Sequence, residues 1–212
     1  MTGLKVLLVD DHSLVRQGLV KLLREEKDIT VVAEADSYQK VFSLMKVMMP
    51  DIVVLDISMP GKDGLELLKD LKHSYPQVRV LMLSMHPEDR FAVRAIKAGA
   101  VGYLTKESAS SELVTAIRAI HGNGKHITPS ITELLLNSFE NSQNKPEHEN
   151  LSDRELQVLT KIAKGLKIKE IADVLSLSPA TVATYRVRVL EKMKLKSNVD
   201  LASYALRHNI ID

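Results

Sequence analysis

"KVLLVDDHSL", residues 5–14, runs apolar from Val6 to Val9 and then turns abruptly to two adjacent carboxylates, Asp10 and Asp11. A strand with no polar alternation is buried on both faces, as strands are in a parallel sheet covered by helices. Residues 12–25 follow with helical periodicity, placing Leu14, Val15, Leu19, Leu22 and Leu23 on one side. The stretch therefore reads as a first β/α unit. Its carboxylate pair raises a physical question, because like charges at the end of a buried strand repel each other and lose hydration.

The same alternation continues. Strands are expected at residues 29–35, 52–55, 80–83 and 101–104, and helices at 37–48, 64–74, 88–98 and 108–121. Five such units predict an α/β fold, a flavodoxin-like doubly wound five-stranded parallel sheet. A further helix is expected over 129–139. Residues 137–150, "NSFENSQNKPEHEN", are polar and aperiodic and read as an interdomain linker.

Beyond the linker the period is helical only. Ser152 and Glu155 form a capping-box pattern, and Gly165 is a C-terminal stop. Residues 167–175 make a short helix. Ser178 and Pro179 are the N-cap and first residue of the next, and 198–207 form the last. Two short helices joined by a tight turn, the second one basic, spell a helix-turn-helix within an all-α domain of four helices. The expected division is 1–122, a connecting helix and linker 123–148, and 149–212.

Charge agrees with that division. Residues 151–212 carry 11 Lys+Arg against 7 Asp+Glu, whereas residues 1–125 carry 17 against 16. A basic excess at the C-terminal end points to a polyanionic partner there. The absence of cysteine excludes disulfides and thiolate metal sites. Apolar runs are far too short for a membrane span, and no signal-peptide pattern precedes the first strand. A cytoplasmic protein without a membrane partner is expected.

Ligands of open parallel sheets bind at the carboxyl ends of the strands. Those ends carry Asp10 and Asp11, Asp56, Ser84, and Thr105 with Lys106. Oxygen-only ligands favour a hard divalent cation, Mg²⁺ with retained waters. Such a cation orients and neutralises a phosphoryl group, for which Asp56 is the nucleophile. Ser84 is placed to bond a phosphoryl oxygen and Lys106 to pair with its charge.

"VDDH", "DIVVLDISMPGKDG", "LMLSMH" and "AVGYLTKE" together resemble the response-regulator receiver domain in order and spacing. The resemblance implies Asp56 as phosphoacceptor, Asp10 and Asp11 as metal-side acids, and the Ser58 main-chain carbonyl in the metal shell. It also implies Ser84 and Lys106 as phosphate sensors and Tyr103 as the switch aromatic. Pro60 and Gly64 shape the loop beside Asp56, and Ser58 and His86 flank the site. Many receivers place proline after the lysine, in a cis peptide; Glu107 stands there in this chain.

Residues 149–212 resemble the helix-turn-helix of the NarL/FixJ (LuxR-type) family. The helical wheel turns Val182, Tyr185, Val189 and Met193 inward. Ser178, Thr181, Thr184, Arg188, Lys169 and Lys192 are the expected DNA contacts. Where many members have "TVKxH", this chain has "TVATY", which puts Ala183 at a position commonly lysine, and Val187 stands at a second commonly basic position one turn on.

The two resemblances imply a phosphorylation-dependent DNA-binding transcription regulator. Its partners are a sensor histidine kinase, double-stranded DNA and, on phosphorylation, a second copy of itself. It is not an enzyme beyond its own phosphoryl transfer and dephosphorylation. Two other readings are an aspartyl-phosphate phosphohydrolase and a phosphorylation-independent DNA binder. The first resembles enzymes carrying a second Asp two residues after the nucleophile, where Ser58 stands here.

Overall fold

The computed structural model of the 212-residue chain describes residues 3–59, 64–85, 88–140, 146–175, 177–208 and 210–211. Pro60 and His86 lie outside them. The chain divides into two units, Met1–Phe139 and Glu140–Asp212.

In the first unit, β1 (Leu4–Val9), β2 (Ile29–Ala35), β3 (Ile52–Asp56), β4 (Arg79–Ser84) and β5 (Gly102–Thr105) form one sheet. Their order is β2-β1-β3-β4-β5 and every pairing is parallel. Chain order reverses at β1, which lies between β2 and β3, so the switch-point crevice opens at the carboxyl end of β1. Helices α1 (Ser13–Arg24), α2 (Tyr38–Met45), α3 (Gly64–Ser74), α4 (Glu88–Lys97) and α5 (Ala109–Asn123) connect or follow the strands.

One core layer joins Val6, Leu8, Val54, Leu81 and Leu83 of the sheet to Leu19 and Leu23 of α1 and Leu113, Ile117 and Ile120 of α5. Strand residues of the other parity, including Leu7, Val53, Leu55, Val80 and Met82, are equally buried and face the opposite layer. Each fully buried Leu or Ile contributes roughly 1.5–3 kcal/mol to holding the layers together.

Two boundaries differ from the periodic pattern for local reasons. α2 ends at Met45 although apolar periodicity runs to residue 48, because the amides of Val47 and Met48 both bond back to the Leu44 carbonyl. The tightened turn, followed by Pro50, releases the chain toward β3 and leaves Val47 79% exposed. At the other edge, the chain after α5 returns to β5 through a single parallel bridge between His126 and Gly102. A Cβ at Gly102 would stand 2.7 Å from the His126 carbonyl oxygen, so only glycine admits this approach. α6 (Pro129–Glu140) then follows.

The second unit holds a 3-10 turn, Glu147–Asn150, and four helices: α7 (Asp153–Ala163), α8 (Ile168–Leu175), α9 (Pro179–Lys192) and α10 (Asn198–Arg207). The capping box forms fully, with Ser152 Oγ accepting from Glu155 N and Ser152 N donating to Glu155 Oε2 at 2.7 Å. Ser178 caps α9 ahead of Pro179. Val182, Val189 and Met193 are buried as the wheel requires, and Tyr185 is half-buried.

Candidate functional site

The parallel register brings the strand ends to one edge. Asp56 pairs with Leu83 and Ser84 with Thr105, and the Lys106 amide extends the ladder to the Ser84 carbonyl at 2.7 Å. Asp56 and Ser84 are wholly buried, and Asp10 is 2% exposed. Lys106 Nζ donates to Asp56 Oδ2 at 2.8 Å. It also forms an ion pair with Asp10 Oδ2 at 2.7 Å. The structure thus joins Asp10, Asp56 and Lys106 directly, with Asp11 and Ser84 beside them.

Burial pushes the Asp56 carboxyl above the usual carboxylate range, and neighbouring Asp10 adds to the rise while Lys106 opposes it. For Lys106, burial works against the charged form, but Asp56 and Asp10 outweigh it and the ammonium is held more firmly than in water. The lysine serves as the counter-charge that a buried acidic cluster requires.

Around this centre, local contacts fix each group. His12 N donates to Asp10 Oδ1 at 2.8 Å, and Ser58 N donates to Asp56 Oδ1 at 3.1 Å. The Gly64 amide bonds the Ile57 carbonyl, and a Cβ there would fall 2.0 Å from the Asp56 carbonyl oxygen. Glycine at 64 is what lets α3 begin directly against the end of β3. Among the described residues no peptide is cis, so Glu107 follows Lys106 through a trans bond. The turn is closed instead by Thr105 Oγ1, which accepts from Ser108 N at 3.1 Å. Tyr103 is fully buried on β5. An open cleft of about 520 Å³, lined by Val15, Ser84, Met85, Thr105, Lys106 and Glu107, gives access beside the acids.

Two contributors escape a reading of the motifs alone. Arg16 donates through Nη1 to the Asp10 carbonyl at 2.5 Å and through Nε to Glu34 at 3.1 Å, bracing the β1–α1 loop against β2. His12 belongs to the acidic cluster: one ligand atom from each of Asp10, Asp11, His12 and Asp56 lies within 4.8 Å of all the others. The position of His12 directly after the acid pair was the available signal. Asp10 Oδ2 and Asp11 Oδ1 are buried atoms without a hydrogen bond. Oxygen donors of that kind suit a hard divalent cation.

In the second unit, Ser178, Thr184, Arg188 and Lys169 are exposed, and Thr181 is half-buried. Ser178 Oγ is engaged as the α9 cap, and Thr184 Oγ1 donates to the Ala180 carbonyl at 3.0 Å. Lys192, 43% exposed, donates through Nζ to Glu155 Oε2 at 2.7 Å, tying the end of α9 to the start of α7. Glu155 is 3% exposed. Burial acts to raise its pKa, but Lys192 and Ser152 prevail and the carboxyl sits below its usual range.

Residues 6–118 match the response regulator receiver domain, and residues 149–205 match the luxR family of bacterial regulatory proteins. The chain is 40% identical over 210 residues to response regulator GacA of Pseudomonas aeruginosa, covering 99% of this chain and 98% of GacA. It is 38% identical over 208 residues to response regulator UvrY of Escherichia coli K12, covering 98% and 95%. A solved structure of the Salmonella typhimurium RcsB response regulator, described for its conformational dynamism for DNA interaction, aligns with a TM-score of 0.61 at 25% identity, covering 96% and 98%. With a receiver at one end and a LuxR-type helix-turn-helix at the other, the chain belongs to the NarL/FixJ family of response regulators.

Proposed function

We propose that this chain is a phosphorylation-dependent DNA-binding transcription regulator in which Asp56 accepts a phosphoryl group from a sensor histidine kinase. The observation that carries the reading is the buried Asp56 carboxylate held at 2.8 Å by Lys106, in the same chain as a capped recognition helix. Asp56 attacks phosphorus, forming an acyl phosphate as the donor's P–N bond breaks and the imidazole departs. Asp10, Asp11, Asp56 and the Ser58 carbonyl would hold Mg²⁺, which would supply charge neutralisation for that transfer. Lys106 exchanges Asp56 Oδ2 for a phosphoryl oxygen, and Ser84 bonds another. Their movement, with the buried Tyr103, biases the receiver toward a second arrangement.

The DNA reader follows from α9, with Thr181, Thr184 and Arg188 reaching phosphates or base edges and Ser178 and Lys169 reaching phosphates. The phosphorylated chain pairs with a second copy on two half-sites. We assign residues 1–122 to the receiver, 123–148 to the connection and 149–212 to the reader. No helix of the described residues is long and apolar enough to cross a membrane, in keeping with a cytoplasmic site of action.

The test is DNA selected from random sequence, bound by the full chain with and without a small phosphodonor. Wild-type protein binds paired half-sites more tightly after phosphorylation, and Asp56→Asn removes the increment. An increment that survives Asp56→Asn overturns the trigger.

A further inference from the structure

β5 is the last strand of the sheet, with β4 bonded along one side of it. Its other side is met by the chain itself. After α5 the chain doubles back, and His126 N donates to the Val101 carbonyl at 2.8 Å in the parallel bridge to Gly102. Gly102 directly precedes Tyr103, whose side chain is wholly buried. Thr128, just past the bridge, starts α6: Ile131 N donates to its Oγ1 at 3.3 Å and Thr132 N to its carbonyl at 3.0 Å. Ile131 is wholly buried. From α6 the chain continues to the second unit. A main-chain bridge thus links the strand that carries Tyr103 to the root of the connecting helix.

The contact is tight but weakly held. The His126 carbonyl oxygen stands 2.7 Å from where a Cβ of Gly102 would be, so a shift of β5 against this segment meets no slack. A single hydrogen bond adds a net factor of only about two to ten to an equilibrium. Burial also works against the contact. Among the described residues, His126 Nε2 is buried without a hydrogen bond, and an unpaired buried polar atom favours exposure to water. The end of α5 has its own anchor, with Arg79 Nη1 donating to the His121 carbonyl at 3.4 Å. The bridging segment can therefore leave β5 without α5.

We propose that residues 125–128 are a strap that the unphosphorylated receiver holds against β5, and that movement of β5 on phosphorylation of Asp56 breaks the bond from His126 to Val101 and frees the root of α6. The proposal rests on the phosphorylation-dependent reading under Proposed function and adds the route by which the signal leaves the receiver. The release is a local opening at one strand edge, with both core layers intact.

The experiment follows amide exchange at His126 in the full chain by NMR, before and after phosphorylation with phosphoramidate and Mg²⁺. Exchange is expected to speed up at least about threefold. The Val101 amide, bonded to the Val80 carbonyl at 2.9 Å, is expected to keep its protection. Unchanged exchange at His126 in the phosphorylated wild type overturns the proposal. His126→Pro removes the donor. This variant is expected to be phosphorylated at the wild-type rate and to bind the selected DNA more tightly than wild type beforehand. Its gain in DNA affinity on phosphorylation is expected to be at least about threefold smaller. His126→Leu keeps the amide and removes the unpaired nitrogen, so exchange at position 126 slows and the full gain remains. A phosphorylated His126→Pro protein with the whole gain overturns the proposal. Loss of the gain in both variants does so too, since the side chain and not the bond would then be responsible. If His126→Pro does not fold, the exchange measurement on wild type decides. If phosphorylated wild type binds DNA no more tightly, the trigger fails, and exchange at His126 still decides whether the strap opens.

Discussion

Lys106 Nζ lies 2.8 Å from Asp56 Oδ2, so the carboxylate proposed as phosphoacceptor and the lysine expected to sense its phosphate form one ion pair. Both partners are buried, the lysine side chain being 6% exposed. Removing one member of such a pair strands the other charge. Lys106→Met is expected to destabilise the chelated protein by about 3–5 kcal/mol, read from urea unfolding. Added Mg²⁺ should restore more stability to the variant than to wild type, since a ligand of the native state stabilises by mass action. A variant as stable as wild type in chelator would remove the structural role given to this pair.

The acid pair has the opposite sign. Asp10→Asn with Asp11→Asn removes two negative charges from a cluster in which Lys106 is the buried cation, paired with Asp10 and Asp56. The double variant is expected to keep its fold, to lose Mg²⁺ binding by calorimetry and to phosphorylate poorly. Its chelated form should melt no lower than wild type, because like-charge repulsion has been relieved. Wild-type Mg²⁺ affinity in the double variant would place the cation elsewhere.

Gly64 tests how tightly the acceptor is framed. A methyl group at this position would meet the Asp56 carbonyl oxygen at 2.0 Å, and backbone cannot swing away as a flexible side chain can. Gly64→Ala is expected to cost at least about 2 kcal/mol and to slow phosphorylation of whatever folds, by displacing Asp56. Equal stability and equal phosphorylation rates would mean that α3 shifts without cost.

On the opposite side of the receiver, Arg118 donates to Asp28 through Nε at 2.9 Å and Nη2 at 2.7 Å. This bonding lowers the Asp28 carboxyl from 3.8 to about 2. Because the folded protein releases that proton more readily than the unfolded chain, the stabilisation is fully present above the unfolded value and is lost as pH falls through about 2. Arg118→Ala should therefore lower stability slightly at pH 5, and the two proteins should converge in acid. Carboxyl NMR of Asp28 gives the direct reading, with the titration returning toward 3.8 in the variant.

Lys192 and Arg188 allow a structural role and the proposed DNA-contact role to be told apart on one helix. Arg188 is exposed, and each phosphate contact contributes about 0.9 to the slope of log affinity against log salt. Arg188→Ala should lower that slope by up to about 0.9 if it meets phosphate, with no change in melting. Lys192→Ala should leave the slope intact and instead destabilise the second unit by about 1 kcal/mol, discounted for the lysine's exposure. With Lys192 removed, Glu155 rises toward its ordinary pKa. The stability that its lowered value contributes above the ordinary carboxylate range is then lost. A reduced salt slope for Lys192→Ala would return it to the DNA interface.

The order of strands and helices, the caps at Ser152 and Ser178, and the gathering of Asp10, Asp11, Asp56, Ser84 and Lys106 at one sheet edge were legible in the chain. Each depends on periodicity, local capping or the rule that parallel strands share their carboxyl edge. Contacts between residues far apart in sequence were not. Lys192 reads as a basic residue near a recognition helix until Glu155, 37 residues earlier, is found beneath it. Arg118 reads as solvated surface until α5 carries it to Asp28, 90 residues away. The turn after Lys106 is local by contrast, closed by Ser108 N donating to Thr105 Oγ1 three residues earlier.

His12 lies between these cases. Its place beside Asp10 and Asp11 is visible at once, but an imidazole next to two acids in sequence is ordinarily a surface neighbour. Local chemistry dictated which residues reach the edge of the sheet. Only the folded β1–α1 loop, where His12 N donates to Asp10 Oδ1, shows His12 Nδ1 standing 2.9 Å from Asp11 Oδ1, because spacing in the chain does not fix a side chain's direction.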